Sequence, residues 1–550
     1  MAKETGETGM AMRKVMRTGP GRLLAVATIT AAMAAAGTAG ATAQPSTSTP
    51  GQWPMAGQNI DDTHVQAAEH AIWPANVNSL APQWTLTTAG AVSATPTVYD
   101  GAVYLPDTGG QLWAVAADTG KVIWSHTVSS YTGVPGDLAR TSPAVSGSEL
   151  ILGDWPYFSA TAPATVFAVN RFTGQLLWST TVHSSPAALI TGSPVVASGV
   201  VYVGVSSKEE SLSAAPGYPC CTFRGAVAAL NATTGRLLWK TYTVPSNNSG
   251  SDTNLPGFYS GAAVWGSTPV VDPARGLLYV GTGNNYTVPS GVCTKPGQTG
   301  CTPPAPGDYA DSILALNLQT GAVAWADHTL SSDVWTVAMP TGPDFDFGSG
   351  PNLFTTTDPS TGQPEQLLGI GQKSGVYWAI DPATGKVVWQ TQVGPGGPAG
   401  GIQWGSATDG NRIYVAEADT SGQPYTLGGS GPSAGQTITG GSWAALDAAT
   451  GKILWQTPDP QAAADTGFVS AANGVVYAGS DASTGTNMYA LNAGTGRILW
   501  RFTSGGSVSG GASVADGTVY WGSGYCGGPC LSAGNPPANN NKLYAFTLAG

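Results

Sequence analysis

The sequence predicts an all-β fold: an eight-bladed β-propeller whose ring is closed by strands from the two ends of the chain. Three observations carry this. One hairpin motif recurs seven times, strand and turn residues dominate the composition, and each end of the chain supplies an incomplete copy of the repeat.

The motif is an alternating apolar strand, Thr-Gly, three residues and Trp. It reads "LWAVAADTGKVIW", "VFAVNRFTGQLLW" and "VAALNATTGRLLW" up to Trp124, Trp178 and Trp239. "ILALNLQTGAVAW", "YWAIDPATGKVVW", "WAALDAATGKILW" and "MYALNAGTGRILW" end at Trp325, Trp389, Trp455 and Trp500. Gly supplies the positive φ of the turn, and the second strand of each hairpin ends in Trp. Upstream of most copies lies another strand pair, such as "SATPTVYDGAVYLP" or "TGSPVVASGVVYVG". Four strands per unit, stacked around an axis, bury faces that one unit cannot bury alone. The repeated Trp is expected to wedge between neighbouring blades.

The eighth blade reads as split. "NKLYAFTLAG" ends the chain without a Thr-Gly-Trp partner, and "APQWTLTTAG" near the start has Trp84 without a preceding hairpin. Joining them completes the ring; the alternative is seven blades with extra strands at both ends. The spacing between successive Trp residues rises from 40 (Trp84 to Trp124) to 86 (Trp239 to Trp325), so long inserts gather in the middle of the chain. Residues 205–225 and 284–312 lie there, and long loops on a rigid ring usually build the site.

Composition agrees. Of 550 residues, 76 are Gly and 40 Pro, and only 10% are charged, yet there are 18 Trp and 19 Tyr, enough for a packed core. Arg13, Lys14, Arg17 and Arg22 precede "LLAVATITAAMAAAGTAG" and the small residues "ATA", which reads as a signal peptide over 1–43 rather than a membrane anchor. A linker follows over 44–51, then the propeller over 52–550. Removing residues 1–43 takes five of the 21 Lys/Arg and two of the 32 Asp/Glu, leaving a net charge of −14. That disfavours nucleic acid and anionic membranes as partners and suits a secreted or periplasmic protein. Export permits disulfides, and three sequence-local pairs suggest themselves: Cys220–Cys221, Cys293–Cys301 and Cys526–Cys530. No cysteine pair is followed by His in the c-type haem pattern.

The simplest catalytic sites are missing from the sequence. The five His form no zinc-type pair, and there is no G-x-S-x-G elbow, P-loop or dinucleotide fingerprint in a βαβ context. The central blades hold a better set. Glu209 and Glu210 follow a strand, Trp265 precedes one and Asn284 follows the next. Asp308 and Asp311 precede a further strand, and Lys373 stands between two. Carboxylates with an amide oxygen suit a hard cation such as calcium, a second carboxylate can act as a base, and Lys can hold a carbonyl or an anion. Singly, each of these residues reads as a turn, edge or surface residue.

The segments "WPMAGQNIDDTHVQAAEHAI", "PCCTFRGAVAALNATTG", "WGSTPVVDPARGLLYVGTGNNYTVP" and "CTPPAPGDYADSILALN" resemble the pyrroloquinoline quinone (PQQ)-dependent alcohol dehydrogenases, eight-bladed quinoproteins, and within them the polyvinyl alcohol dehydrogenase type. The resemblance implies PQQ and Ca2+ as cofactors and hydride transfer from an alcohol, secondary or polymeric, to the quinone. It implies Glu209, Asn284 and Asp308 as metal ligands, and Asp308 or Asp311 as base with Lys373 beside the reactive carbonyls. It implies Trp265 under the quinone and Arg140, Thr191, Arg224, Gln403 and Trp404 around it. It also implies a vicinal disulfide at Cys220–Cys221, against the quinone or as a structural lid. With no haem domain, electrons are expected to leave to a separate acceptor such as a cytochrome c. Two other readings are a non-catalytic exported propeller scaffold, which has no need of this residue set, and a propeller that binds sugars or polymers without oxidising them.

Overall fold

In a computed structural model, residues 51–266, 268–525 and 540–549 are described. The signal peptide, most of the linker and the Cys526–Cys530 pair lie outside them. Among the described residues no helix is long and apolar enough to cross a membrane.

Eight blades of four antiparallel strands follow one another along the chain, and the sheets of blades three and seven each gain a fifth strand. Blade one is Thr97–Tyr99, Ala102–Pro106, Gln111–Ala116 and Val122–Thr127. The pattern repeats through blades two (residues 144–183), three (195–242), four (270–328), five (352–392), six (407–458) and seven (469–502). Blade eight takes Ser513–Ala515, Thr518–Ser523 and Lys542–Leu548 from the end of the chain and Leu80–Thr87 from near its start. The split eighth blade expected from the sequence is therefore what closes the ring, and the seven-bladed alternative falls.

Each blade is clasped to the next by its last Trp. The indole N–H of Trp84, Trp124, Trp178, Trp239, Trp325, Trp389 and Trp455 donates to Ala117, Arg171, Ala232, Leu318, Pro382, Ala448 and Ala493 O. Trp500 donates to Leu80 O and completes the circuit; all eight bonds are 2.9–3.2 Å. The ring of each of the first seven lies on the Thr-Gly turn of the following blade. A Cβ at Gly120, Gly174, Gly235, Gly321, Gly385, Gly451 or Gly496 would stand 2.4–2.8 Å from that indole, and all seven glycines have positive φ. Gly therefore serves twice, for the turn and for the close approach of the indole.

Residues 53–66 run across the ring over the first strands of the blades. Trp53 pairs with Val98 of blade one, and Pro54 O accepts Val145 N of blade two. Ile60, Asp61, Thr63 and His64 carbonyls accept N–H groups of Val271, Leu353, Thr408 and Ala471 in blades four to seven. Gln66 Nε2 reaches Val514 O in blade eight, and Val65–Gln66 adds a parallel strand to blade seven. At the centre Asp62 and His64 are buried 3.2 Å apart; burial raises the Asp62 carboxyl to about 6 even with His64 beside it.

Trp455 is 1% exposed. Trp455→Ala is expected to destabilise the ring by about 3–5 kcal/mol. Trp455→Phe should keep much of the packing and lose the N–H bond, worth about 1 kcal/mol. Denaturant unfolding of the two variants checks both the size and the order of the losses.

Candidate active site

In every blade the second strand ends on the same side of the ring, since all blades share one topology. The residues just beyond those ends, Asp107, Asp154, Lys208–Glu210, Asn284, Lys373, Asp419 and Asp481, give that side a polar rim. The loops entering the first strands start from this side too, and they bring Arg140, Thr191, Trp404 and Phe468 to one central cavity.

At blades three to five the rim becomes a carboxylate cluster. One oxygen from each of Glu210, Asp344 and Asp346 lies within 4.8 Å of the others, the one such group among the described residues. Lys373 Nζ reaches Asp346 Oδ2 at 2.6 Å and Asp344 Oδ1 at 3.0 Å. Asn284 N donates to Asp346 Oδ1 at 2.6 Å, so both oxygens of Asp346 are held. The Asn284 amide N–H groups go to Asn285 O and Trp335 O, leaving Oδ1 buried without a hydrogen-bond partner among the described residues. Glu210 Oε1 is in the same condition.

Charge is unbalanced here. Burial, and then Asp346, push Glu210 up to about 8. Burial raises Asp333 to about 6. Asp311 is fully buried, with neither oxygen partnered among the described residues; burial and then Asp333, Asp346 and Asp344 hold its pKa well above the usual range. Asp344 is raised likewise, chiefly by burial, although Lys373 opposes it. Burial works against the Lys373 charge, yet Asp344, Asp346 and Glu210 together keep its pKa raised. Five carboxylates thus surround one ammonium, an arrangement that favours a bound cation.

The residues expected from sequence fall into two groups. Lys373 and Asn284 join the cluster. Trp265 stands against it: a Cβ at Gly283 would lie 2.4 Å from Asp346 Oδ1 and 2.7 Å from Trp265 Nε1. Thr191 Oγ1 donates to Ser206 Oγ at 2.8 Å and to Trp265 O at 3.2 Å. Cys220–Cys221 is a disulfide, as is Cys293–Cys301. Cys220 and Trp265 pack on the same apolar group, which contains Cys221, Phe223 and Tyr286. The Arg140 guanidinium lies over Trp155 and Trp404, each at 5.4 Å, and over Tyr525 at 5.8 Å.

The others are engaged elsewhere. Glu209, expected to face a metal, accepts from Thr222 N at 2.9 Å, Phe223 N at 2.8 Å and Tyr218 Oη at 2.9 Å. Its carboxylate braces the turn that follows the vicinal disulfide, and its neighbour Glu210 enters the cluster. Asp308 accepts from Asn285 Nδ2 at 2.7 Å and lines a separate pocket with His328; burial raises it to about 7. Arg224 stacks on Tyr242 at 3.7 Å and donates to Ser251 O and Val244 O, turned to the 244–251 loop. Gln403 folds back on Gly400 O at 3.0 Å.

Sequence reasoning missed Asp333, Asp344 and Asp346. The signal was "GPDFDFGSG", whose alternation places two acids on one side just ahead of the first strand of blade five. It also missed Lys208, which is 5% exposed and donates to Pro156 O at 2.9 Å, Tyr157 O at 3.1 Å and Ser159 O at 2.5 Å. Lys208 ties the loop bearing Trp155 to the helix Glu209–Leu212 that carries Glu210.

Comparison with known proteins places this geometry. Residues 53–403 match the PQQ family model, described as glucose/ethanol/alcohol dehydrogenase, beta-propeller domain. Residues 439–546 match that of outer membrane protein assembly factor BamB. A polyvinylalcohol dehydrogenase of Sphingopyxis sp. (strain 113P3) is 32% identical over 86% of this chain and 73% of its own. One of Pseudomonas sp. is 30% identical over 92% and 78%. The structure of the quinohemoprotein alcohol dehydrogenase ADHIIG from Pseudomonas putida HK5 superposes with a TM-score of 0.68, at 20% identity, over 91% of this chain and 81% of that one. The fold is thus that of the quinoprotein propellers. The chain belongs to the PQQ-dependent alcohol dehydrogenase family.

Lys373→Met removes the single ammonium from the cluster. It should cost about 3–5 kcal/mol of stability by leaving buried carboxylates uncompensated. Urea unfolding in the presence of EDTA measures the loss; an unchanged midpoint contradicts the charge balance described.

Proposed function

We propose that this protein is exported and, with PQQ and calcium, oxidises a secondary or polymeric alcohol of the polyvinyl alcohol kind, passing electrons to a separate acceptor such as a cytochrome c. The observation that carries the reading is a pair of buried acceptors, Glu210 Oε1 and Asn284 Oδ1, which no donor satisfies among the described residues and which stand beside Asp344 and Asp346. All-oxygen donors of this kind fit calcium. The likeness to two polyvinylalcohol dehydrogenases supports the substrate class.

The donor chemistry also fits the quinone. Arg140, with the hydroxyls of Ser142, Thr191 and Ser193 in the same cavity, suits a carboxylate-bearing ligand. Trp265 and the Cys220–Cys221 disulfide, on one apolar group, suit the faces of a flat ring. When bound, PQQ supplies the electrophilic carbon that accepts the hydride.

The chain's own residues do the rest. Glu210, Asn284 and Asp346 would hold the cation. Asp346 is fixed by Asn284 N and Lys373 Nζ, whereas Asp344 meets Lys373 through Oδ1 alone. We assign Asp344 as the group that takes the alcohol's hydroxyl proton, with Lys373 steadying the charge on both carboxylates. Asp308 touches this cluster only through Asn285, and Asp311 acts on it through charge. Glu209 keeps the disulfide turn in position.

Adding PQQ and calcium to the purified mature chain should give a bound-quinone absorption spectrum and dye-linked oxidation of polyvinyl alcohol and 2-propanol. No binding by a chain shown to be folded would overturn the reading in favour of a scaffold. Glu210→Ala and Asn284→Ala should each weaken PQQ binding at least tenfold in calcium titrations while leaving the circular dichroism spectrum intact. Unchanged affinity in both would remove the ligand assignment.

A further inference from the structure

Lys208 lies between the carboxylate cluster and the central cavity and is a ligand of neither. It immediately precedes the helix Glu209–Leu212, and its carbonyl accepts from Leu212 N at 3.0 Å, so its backbone opens the turn that carries Glu210. Its N–H donates to Ala187 O at 2.9 Å. Its side chain leaves blade three altogether. Nζ donates to Pro156 O at 2.9 Å, Tyr157 O at 3.1 Å and Ser159 O at 2.5 Å, all in the loop of blade two.

An ammonium has three N–H groups, and here all three are spent on main-chain carbonyls. No carboxylate lies within ion-pair distance of Nζ among the described residues. The acids whose charge reaches it, Asp137 and Asp154, are bonded instead to Thr132 Oγ1, Leu138 N and Thr165 N. A buried cation is a costly way to hold a loop, and removing it leaves three buried carbonyls unmet at once. What the loop carries gives that cost a use.

The gripped carbonyls follow Trp155 by one, two and four residues. Trp155 is buried, packs with Leu138 and Leu189, and stacks on Tyr157 at 4.8 Å. The Arg140 guanidinium lies over its ring. A single side chain thus runs from the helix that supplies Glu210 to the loop whose indole Arg140 rests on.

We infer that Lys208 is a positioning residue that keeps the cation-binding and carboxylate-binding halves of the site in register. An ion held at Glu210 steadies the helix, the helix steadies the Lys208 bonds, and these steady Trp155 beside Arg140. A ligand gripped at both places needs their separation fixed. The inference rests on the proposed function, in which the cation sits at Glu210 and Arg140 receives a carboxylate.

Hydrogen exchange of the mature chain, followed by mass spectrometry with and without calcium and in the absence of PQQ, tests it. In the wild type, calcium at about ten times its dissociation constant should slow the amides of 209–213 roughly tenfold and those of 155–159 at least about threefold. In Lys208→Met the slowing at 209–213 should remain and that at 155–159 should be lost. Where this variant does not fold, Lys208→Gln, with two N–H groups for three carbonyls, replaces it and the same loss is expected. A residue that only stabilised the fold would leave the calcium response of 155–159 unchanged. Slowing at 209–213 alone in the wild type, or slowing at 155–159 that survives the substitution, overturns the coupling. No slowing at 209–213 in the wild type overturns the cation site of the proposed function, and the coupling falls with it.

Discussion

The contact on which this architecture depends is the indole laid on the next blade's glycine. Apolar packing of one twisted sheet on another sets the angle between neighbouring blades only within a broad range. The Trp N–H removes that freedom. It selects one carbonyl in the following blade, and the positive-φ glycine beneath lets the ring approach to contact. Seven repetitions give the same step, and Trp500 makes the eighth onto Leu80 O, where no Thr-Gly turn exists. The angular step sets the number of blades, and the number of blades sets how near the axis the rim residues stand.

Once the steps are uniform, function comes from what is placed beyond the second strands. In four blades the position carries an Asp, and that of blade one, Asp107, is satisfied by the Ala89, Gly109 and Gln111 N–H groups. At blades three to five Glu210 and Lys373 at such positions meet Asp344 and Asp346 from the loop ahead of blade five. The cost of burying those like charges is what makes the site selective for a cation.

This explains what the sequence disclosed. The blades were legible because turn glycine and terminal Trp are demanded by local geometry and must recur. Lys373, Asn284, Trp265 and the vicinal cysteines were legible from their place next to strands and from resemblance. The choice between Glu209 and Glu210 was not, because adjacent residues on a short helix face different ways and only the fold shows which one meets Thr222 and Phe223 N–H groups. Asp344 and Asp346 are hard to tell from sequence alone, because "GPDFDFG" ahead of blade five and "GDYAD" in blade four present the same kind of paired acids before a strand. Arg224 could not be placed from sequence, since its orientation depends on stacking over Tyr242.

The segment 53–66 is bonded to the first strands of seven blades and so ties them together across the ring. His64 stacks on Phe468 at 5.5 Å, and Phe468 lines the central cavity, so this segment is also the floor beneath it. The first strands of seven blades therefore share one crosspiece, and a change in residues 53–66 reaches the cavity lining directly through the His64–Phe468 contact.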